Sequence, residues 1–536
     1  MLDISEKIET QDAVKCKPIK IGAMCKLTLS DIKKFHAHKL TIVLDKTAYV
    51  EMKKSYEFLE TYIDKRVPIY GINTQFGDQV YLLENCMHEN AKAYYDSITQ
   101  RQENLIRSHT CGMGDPMPAG VVRTAMLLRA HCLGQGYSGV SLEVVETIIA
   151  CLNADIVPIV PKYGSIGASG DLIPLATIAA ALIGEDVAVY YKNTIMSAPK
   201  AFELANIKKI SVKMRDGLAM INGTSFMTAM ASVSLFDLKR LFNQMLNSIA
   251  MALEAMLAVS SAYHPLVHQL KRQAGQIDIN EFLGEFWKGS QLLSDLGNLE
   301  QTINQATVDS SRRIQNYYSL RSVAQGFGPF KENLENAIVW IENEMNSVND
   351  NPTVDVSGKQ LLNNANFMGY YVTDACDILK MNIAQASTWI HALLANLVHP
   401  RKNVNLPANL VENPETNNGF RPLQLLAASL AVQNRKLAQA QQSYSLPTEG
   451  DNQDVNSLGM HAALDFRDSV ENLERLTAIL LLAAVQALEF RGYEKAGYRA
   501  QNIYRVIRAH SPTIKKCRPM QNELNNIVEL LRREKI

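Results

Sequence analysis

The stretch VENLERLTAILLLAAVQALE, residues 470–489, decides the fold class. It contains no Gly or Pro, and between positions 476 and 488 only Thr477 and Gln486 interrupt an apolar run. That run falls short of the roughly 20 apolar residues needed to span a membrane. A helix this apolar on every side must instead be enclosed by other helices. Four further stretches share the Leu/Ala-rich texture, 232–260, 334–345, 374–397 and 423–442, and together they predict a bundle. Upstream, 121–133 and 142–153 carry apolar residues at three- and four-residue spacing, and 46–62 also reads as helix. Short β-like pieces are confined to 26–29 and 40–44, while 69–80 is rich in the turn residues Gly71, Asn73, Gly77 and Asp78. The chain therefore reads as mainly α, with an N-terminal domain over 1–210 and a central helical bundle with C-terminal helices over 211–536.

The 536 residues carry 54 Lys+Arg and 54 Asp+Glu, a net charge of zero. Proteins that bind nucleic acid or membrane surfaces usually show a basic excess, so neither partner is expected. Neutrality also leaves little repulsion against self-association. Cys16, Cys25, Cys86, Cys111, Cys132, Cys151, Cys376 and Cys517 stand apart without a C-x-x-C pair. They read as reduced thiols and not as a zinc site or disulfide framework. Residues 1–20 lack the apolar core of a signal peptide, and a cytoplasmic location is expected.

Two motifs are discounted. Gly134-Gln-Gly-Tyr-Ser-Gly139 spells G-x-G-x-x-G, but it follows a helical stretch where a dinucleotide site needs a strand, so it reads as a helix C-cap and loop. His264 and His268 have metal-pair spacing, yet Pro265 lies between them and no H-E-x-x-H acid is present. Neither a metal nor a nucleotide is expected.

The chemistry sits in the segment from Gly164 to Ala176, GSIGASGDLIPLA, a glycine-rich turn ahead of a helix. If the backbone bends tightly at Ala168-Ser169-Gly170, the Gly170 nitrogen can attack the Ala168 carbonyl. Loss of two waters, one from the Ser169 side chain, leaves a five-membered ring bearing an exocyclic methylidene. Alanine is small, serine supplies the eliminated hydroxyl, and glycine gives an unhindered nitrogen with free φ and ψ. The product is an electrophile that ordinary side chains do not provide.

These thirteen positions resemble the signature of the aromatic amino-acid lyases: the histidine, phenylalanine and tyrosine ammonia-lyases and the related 2,3-aminomutases. Enzymes of that family use a 4-methylideneimidazol-5-one (MIO) group. The resemblance extends over roughly residues 30–500. It includes IYGINT at 69–74, GLAMINGT at 217–224, YSLR at 318–321, NDNP at 349–352, NFMG at 366–369 and DNQD at 451–454. The chain departs from the family at Gln75, Ser322, Ala324 and Tyr370, none of which the chemistry requires. The resemblance implies an MIO group formed autocatalytically from Ala168, Ser169 and Gly170. It implies Tyr70 as the base for the β-proton and Arg321 as a bidentate clamp on the substrate carboxylate. Asn222, Gln315 and Tyr318 would surround the MIO group and the substrate amine, Phe367 would flank the MIO group, and Asn452 and Gln453 would form the pocket wall. It further implies a homotetramer whose sites are shared between chains.

The substrate is read from Ser108-His109, which aligns with the family's selectivity segment; a histidine there can bond a phenol or an imidazole. Histidine lyases resemble one another in a Glu at the position of Gln453, and a glutamine cannot pair with an imidazolium. The expectation is thus an ammonia-lyase converting L-tyrosine to p-coumarate, with L-phenylalanine to cinnamate as a lesser activity and L-histidine poorest. A tyrosine 2,3-aminomutase making β-tyrosine and a histidine ammonia-lyase are the alternatives.

Overall fold

The computed structural model describes residues 17–37, 40–80, 90–293 and 315–536; Cys16 and Cys86 lie outside them. The chain divides into two compact units. The first comprises Met1–Val233, Glu342–Tyr370 and Tyr444–Met460, and the second Ser234–Ile341, Tyr371–Ser443 and His461–Ile536. The boundary differs from the single cut expected near residue 210. Two later segments pack with the N-terminal part because their polar side chains bond there, as described below.

Among the described residues, every named element of the second unit is a helix. It takes most of the helices Ser225–Ala255, Val323–Met345, Tyr370–Val398 and Gly459–Arg491, together with Arg421–Leu437, Tyr498–His510 and Gln521–Arg532. The deciding stretch lies inside the 33-residue helix Gly459–Arg491. Leu473, Leu476, Leu480, Leu481, Leu482 and Leu488 are completely buried, as enclosure by neighbouring helices requires. Gln486, one of the two interruptions, is equally buried and fully partnered. Its amide donates to the carbonyls of Leu410 (2.9 Å) and Ile514 (3.0 Å), and its oxygen accepts from Ile514 N and Arg508. A buried amide costs little once every donor and acceptor is paired. No helix among the described residues is long and apolar enough to cross a membrane.

The first unit packs helices with four small sheets. Ile19–Ile21 pairs in parallel with Ile42–Leu44. Met113–Pro116 pairs antiparallel with Pro161–Tyr163, and Thr353–Asp355 with Gln360–Leu362. The last sheet orders Ile156–Pro158, Ala188–Tyr191 and Thr194–Ser197. The extended piece expected at 26–29 is absent, because Thr28 and Asp31 cap each other reciprocally and start the helix Leu29–Ala37. The G-x-G-x-x-G segment follows the helix Ala119–Leu133, with Gly134 as its C-cap. In the second unit His264 caps the helix Pro265–Lys271, and His268 bonds Ala262 and Gln276, so both histidines are occupied structurally.

His131 ties the first unit together. Its Nδ1 accepts from Gly22 N (3.0 Å), so the proton sits on Nε2 and is donated to the Asn346 oxygen (3.1 Å). The Asn346 amide in turn donates to the Leu27 carbonyl. Burial pushes the His131 pKa down to about 4, opposed by the bond to Asn346. The unfolded chain takes up this proton near pH 6.5 and the folded chain only near 4, so stability falls as pH drops through that window. The loss is expected to reach about 3 kcal/mol for this one group. Denaturant melts at pH 7 and pH 4.5 measure it, and the His131→Gln variant should show a smaller difference between the two.

Candidate active site

Ile69 and Ile72 are buried in a cluster with Leu59, Ile63, Tyr94, Ile98 and Met214. These anchors hold the turn between them, so Tyr70 and Gly71 have a fixed place. Asn73 fastens the turn further, accepting from Ile69 N (2.7 Å) and donating to the Val67 carbonyl and the Tyr94 hydroxyl. Gln102, buried in the helix Ala91–His109, donates to the Gly71 carbonyl (2.6 Å) and accepts from Leu218 N. The Tyr70 ring then faces a cavity of about 460 Å3, a size suited to a small ligand.

Ala168 and Ser169 line the same cavity. Gly170 has φ +72°, and a Cβ there would lie 2.2 Å from the Gly223 carbonyl oxygen. Gly223 is as constrained, since its own Cβ would lie 2.0 Å from the Arg129 guanidinium. The two backbones therefore run against each other as an isolated bridge, with Asp171 N donating to Gly223 O at 2.8 Å. Asn222 donates its amide to the Ser169 carbonyl (2.9 Å) and accepts from Asn351 N (2.8 Å). Gln453 donates to the Ser169 hydroxyl at 3.2 Å. From the other side, Ser457 and Leu458 donate to the carbonyls of Gly167 and Ile166.

Buried polar groups hold this arrangement. The Asp171 carboxylate accepts from Ser165 (2.7 Å) and from Phe226 N and Met227 N at the start of the helix Ser225–Ala255. Burial pushes its pKa up to about 6, against the opposing effect of those bonds. Arg129 donates to the Asn222 carbonyl and to Asn349, while Asp350 pairs with Arg215 at 2.6 Å. The NDNP motif thus braces the turn with three successive side chains or backbone groups. Two late segments, 342–370 and 444–460, belong to the first unit for this reason.

His109, at the end of the helix Ala91–His109, lines the cavity with Leu105, Leu218, Phe367 and Tyr370. Its Nδ1 lies 2.8 Å from the Leu105 carbonyl, which can only accept, so Nδ1 donates there. Ser108 turns away, donating to Leu105 O, and does not line the cavity. Asn452 and Gln453 do line it. Gln315, Tyr318 and Arg321 belong to the second unit and are not among the cavity residues; Tyr318 is 75% exposed, with the Arg321 guanidinium 4.7 Å from its ring centre. Two of the three, Tyr318 and Arg321, are the end residues of the helix Tyr318–Arg321.

Sequence reasoning missed Glu449. It lines the cavity beside His109 and presses on Gly77, where a Cβ would lie 2.2 Å from its carboxylate. Glu449 has φ +54°, followed by Gly450 at +60° and Asp451 at +63°. A side chain in that left-handed region costs roughly 1–2 kcal/mol. The GD pair after it signalled a turn but not its direction. Desolvation raises the Glu449 pKa, opposed first by the bond from Asn452. Desolvation likewise raises the Tyr70 phenol; the Gly77 N–H bonded to its oxygen (3.2 Å) lowers it, and Glu449 raises it again.

The cavity thus brings together a glycine-backed turn with a serine, a half-buried tyrosine and a histidine. Residues 27–509 match the family described as Aromatic amino acid lyase, and the chain belongs to it. Members of this family are carbon–nitrogen lyases together with aminomutases. The chain is 32% identical over 514 residues to a histidine ammonia-lyase of Caldanaerobacter subterraneus subsp. tengcongensis, covering 95% of this chain and 96% of that one. Among solved structures it is similar to a phenylalanine aminomutase from Pantoea agglomerans (TM-score 0.90, 28% identity, 96% of this chain and 99% of that one). It is also similar to a tyrosine aminomutase from Streptomyces globisporus (TM-score 0.88, 27% identity, 97% of each).

The turn fits the family's MIO group: Gly170 has the positive φ and the missing Cβ that ring closure needs, and the Ser169 carbonyl is held by Asn222. Asp171→Ala would leave the buried N–H groups of Phe226 and Met227 unpaired. Each unpaired group costs roughly 1–3 kcal/mol, so a loss of that order or more in unfolding free energy is expected in denaturant melts.

Proposed function

We propose that the chain is an MIO-dependent ammonia-lyase acting on an aromatic L-amino acid with a polar ring, L-histidine ahead of L-tyrosine. The observation that carries this reading is that Ser169, Tyr70 and His109 line one cavity. The MIO group, formed from Ala168, Ser169 and Gly170, supplies an electrophile that makes the substrate nitrogen a better leaving group. Asn222 orients the Ser169 carbonyl, and before ring formation Gln453 holds the Ser169 hydroxyl that is lost as water.

Tyr70 takes the β-proton. Burial and Glu449 keep its phenol protonated in the free enzyme, so deprotonation accompanies the arrival of a positively charged substrate. The Gly77 N–H then stabilises the phenolate. Phe367 and Asn452 wall the ring and the amine. Gln315, Tyr318 and Arg321 complete the site from neighbouring copies in a homotetramer, with Arg321 clamping the carboxylate. The free thiols of Cys25, Cys111, Cys132, Cys151, Cys376 and Cys517 suit a reducing cytoplasm.

Histidine takes precedence over the tyrosine expectation for two reasons. The curated relative with 32% identity is a histidine ammonia-lyase, and the carboxylate that Gln453 lacks is present in the same cavity at Glu449. Tyrosine remains the second reading because Nε2 of His109 can accept from a phenol, and because the similar Streptomyces structure is a tyrosine aminomutase.

Purified enzyme is incubated with L-histidine, L-tyrosine and L-phenylalanine, and products are separated by chromatography. Urocanate with equimolar ammonia is expected to dominate. Coumarate in its place supports the second reading, β-tyrosine supports an aminomutase, and cinnamate well ahead of both would overturn the polar-ring assignment. Ser169→Ala should abolish turnover and restore an intact mass without the loss of two waters. Tyr70→Phe should keep the ring, read from the same mass, while turnover falls by about 10²-fold or more.

A further inference from the structure

We propose that Glu344 is a positioning residue for ring closure at Ala168-Ser169-Gly170, acting through Thr224, which it holds so that Gly223 stays pressed against Gly170. This rests on the MIO group of the reading above and adds to it a residue that does not line the cavity. Glu344 and every residue it acts through belong to the first unit.

Ring closure needs the Gly170 nitrogen brought onto the Ala168 carbonyl carbon. A bond forms between them, and the carbonyl oxygen leaves as water with the hydrogens of Gly170 N and Ser169 N. Ser169 gives up its hydroxyl and its Cα hydrogen as the second water. The segment 222–224 grips this turn step by step. Asn222 holds the Ser169 carbonyl, while Gly223 packs on Gly170 and accepts from Asp171 N. Such a grip bears on the turn only if its own far end is fixed. That end is Thr224, which is completely buried. Its hydroxyl donates to a Glu344 carboxylate oxygen, and its N–H reaches Asn349 Oδ1 over a long 3.4 Å. Asn349 Oδ1 is already shared with Arg129 at 3.2 Å, and an ionised oxygen accepts more strongly than an amide one. Glu344 is therefore the main anchor of Thr224.

The setting of Glu344 points the same way. It stands in the last turn of the helix Val323–Met345, the end at which a negative charge opposes the helix dipole. Among the described residues no lysine or arginine pairs with it. Desolvation raises its pKa, opposed first by the Thr224 hydroxyl and then by Ser347. Ser347 donates to the Glu344 backbone carbonyl (2.9 Å) and accepts from the Asn349 amide (2.9 Å). Glu344, Ser347, Asn349 and Thr224 thus close a hydrogen-bonded circuit beside Gly223, whose Cβ would lie 2.4 Å from Asn349 Oδ1. Neither the helix nor an ion pair gains from this acid. What gains is the placing of the Asn-Gly-Thr turn.

The test follows intact mass over time after a short pulse of cell-free synthesis, alongside melting temperature. It compares wild type, Glu344→Gln, Glu344→Leu, Thr224→Val and the double variant Glu344→Leu/Thr224→Val. Glutamine keeps an acceptor for Thr224, so that variant should lose its two waters at close to the wild-type rate. Glu344→Leu and Thr224→Val each leave one polar partner unpaired, and their melting temperatures should fall. The double variant leaves neither unpaired, so its melting temperature should recover. Loss of the two waters is nonetheless expected to be slower by about tenfold or more in all three, because the turn is no longer held. Ring closure that recovers with melting temperature in the double variant would mean a purely stabilising role and overturn the assignment. Closure at the wild-type rate in Glu344→Leu overturns it too, leaving the MIO reading intact. Wild-type chain that never loses the two waters sinks the MIO reading and this assignment together.

Discussion

Two glycines that leave no room for a Cβ, Gly170 and Gly223, govern the site. Their backbones touch, and that contact sets the curvature of the turn carrying Ser169. An alanine at either place would displace the Asn-Gly-Thr turn from the Ala-Ser-Gly turn, and Asn222 would lose the Ser169 carbonyl. Close approach of this kind uses glycine's missing side chain as well as its freedom of φ.

A contact so tight stays in place only if the surrounding elements cannot relax. The brace is polar. Asp171 holds the start of the helix Ser225–Ala255, Arg129 spans Asn222 and Asn349, and Arg215 pairs with Asp350 without exposure to solvent. Removing one partner of such a buried pair is strongly destabilising, because the other is left charged and unsolvated. The groups therefore act as a unit, and the turn inherits their rigidity. Preorganisation of this sort places a reactive segment where its chemistry requires it, before any substrate arrives.

The opposite wall is built differently. Tyr70 is carried by a turn pinned through Ile69 and Ile72, while Glu449 rides on a strained loop exposed at the cavity edge. Apolar burial fixes the phenol, and backbone strain sets the place of the carboxylate. An electrostatic link joins them, with Glu449 opposing ionisation of Tyr70. A phenol and a carboxylate coupled in this way respond together to charge that enters the cavity.

Helical class, the reactive turn and most of the site residues were legible in the sequence. Leu/Ala periodicity reports burial directly, and Ala168-Ser169-Gly170 is contiguous, so its chemistry can be read without folding it. Tyr70, His109, Asn222, Phe367, Asn452 and Gln453 were named from local motifs, and the fold brings all of them to one cavity. The side-chain direction of Ser108 was not legible, because one step along a helix rotates a residue by about 100°, and the helix Ala91–His109 brings Leu105 and His109 to the cavity but not Ser108. Nor was Glu449, whose place depends on three successive positive φ values imposed by the Thr448–Gln453 pinch. Gln315, Tyr318 and Arg321 stand with the second unit, which no local motif announces. Local pattern fixes what a residue can do chemically, whereas which residues meet depends on long-range packing that no single window of sequence contains.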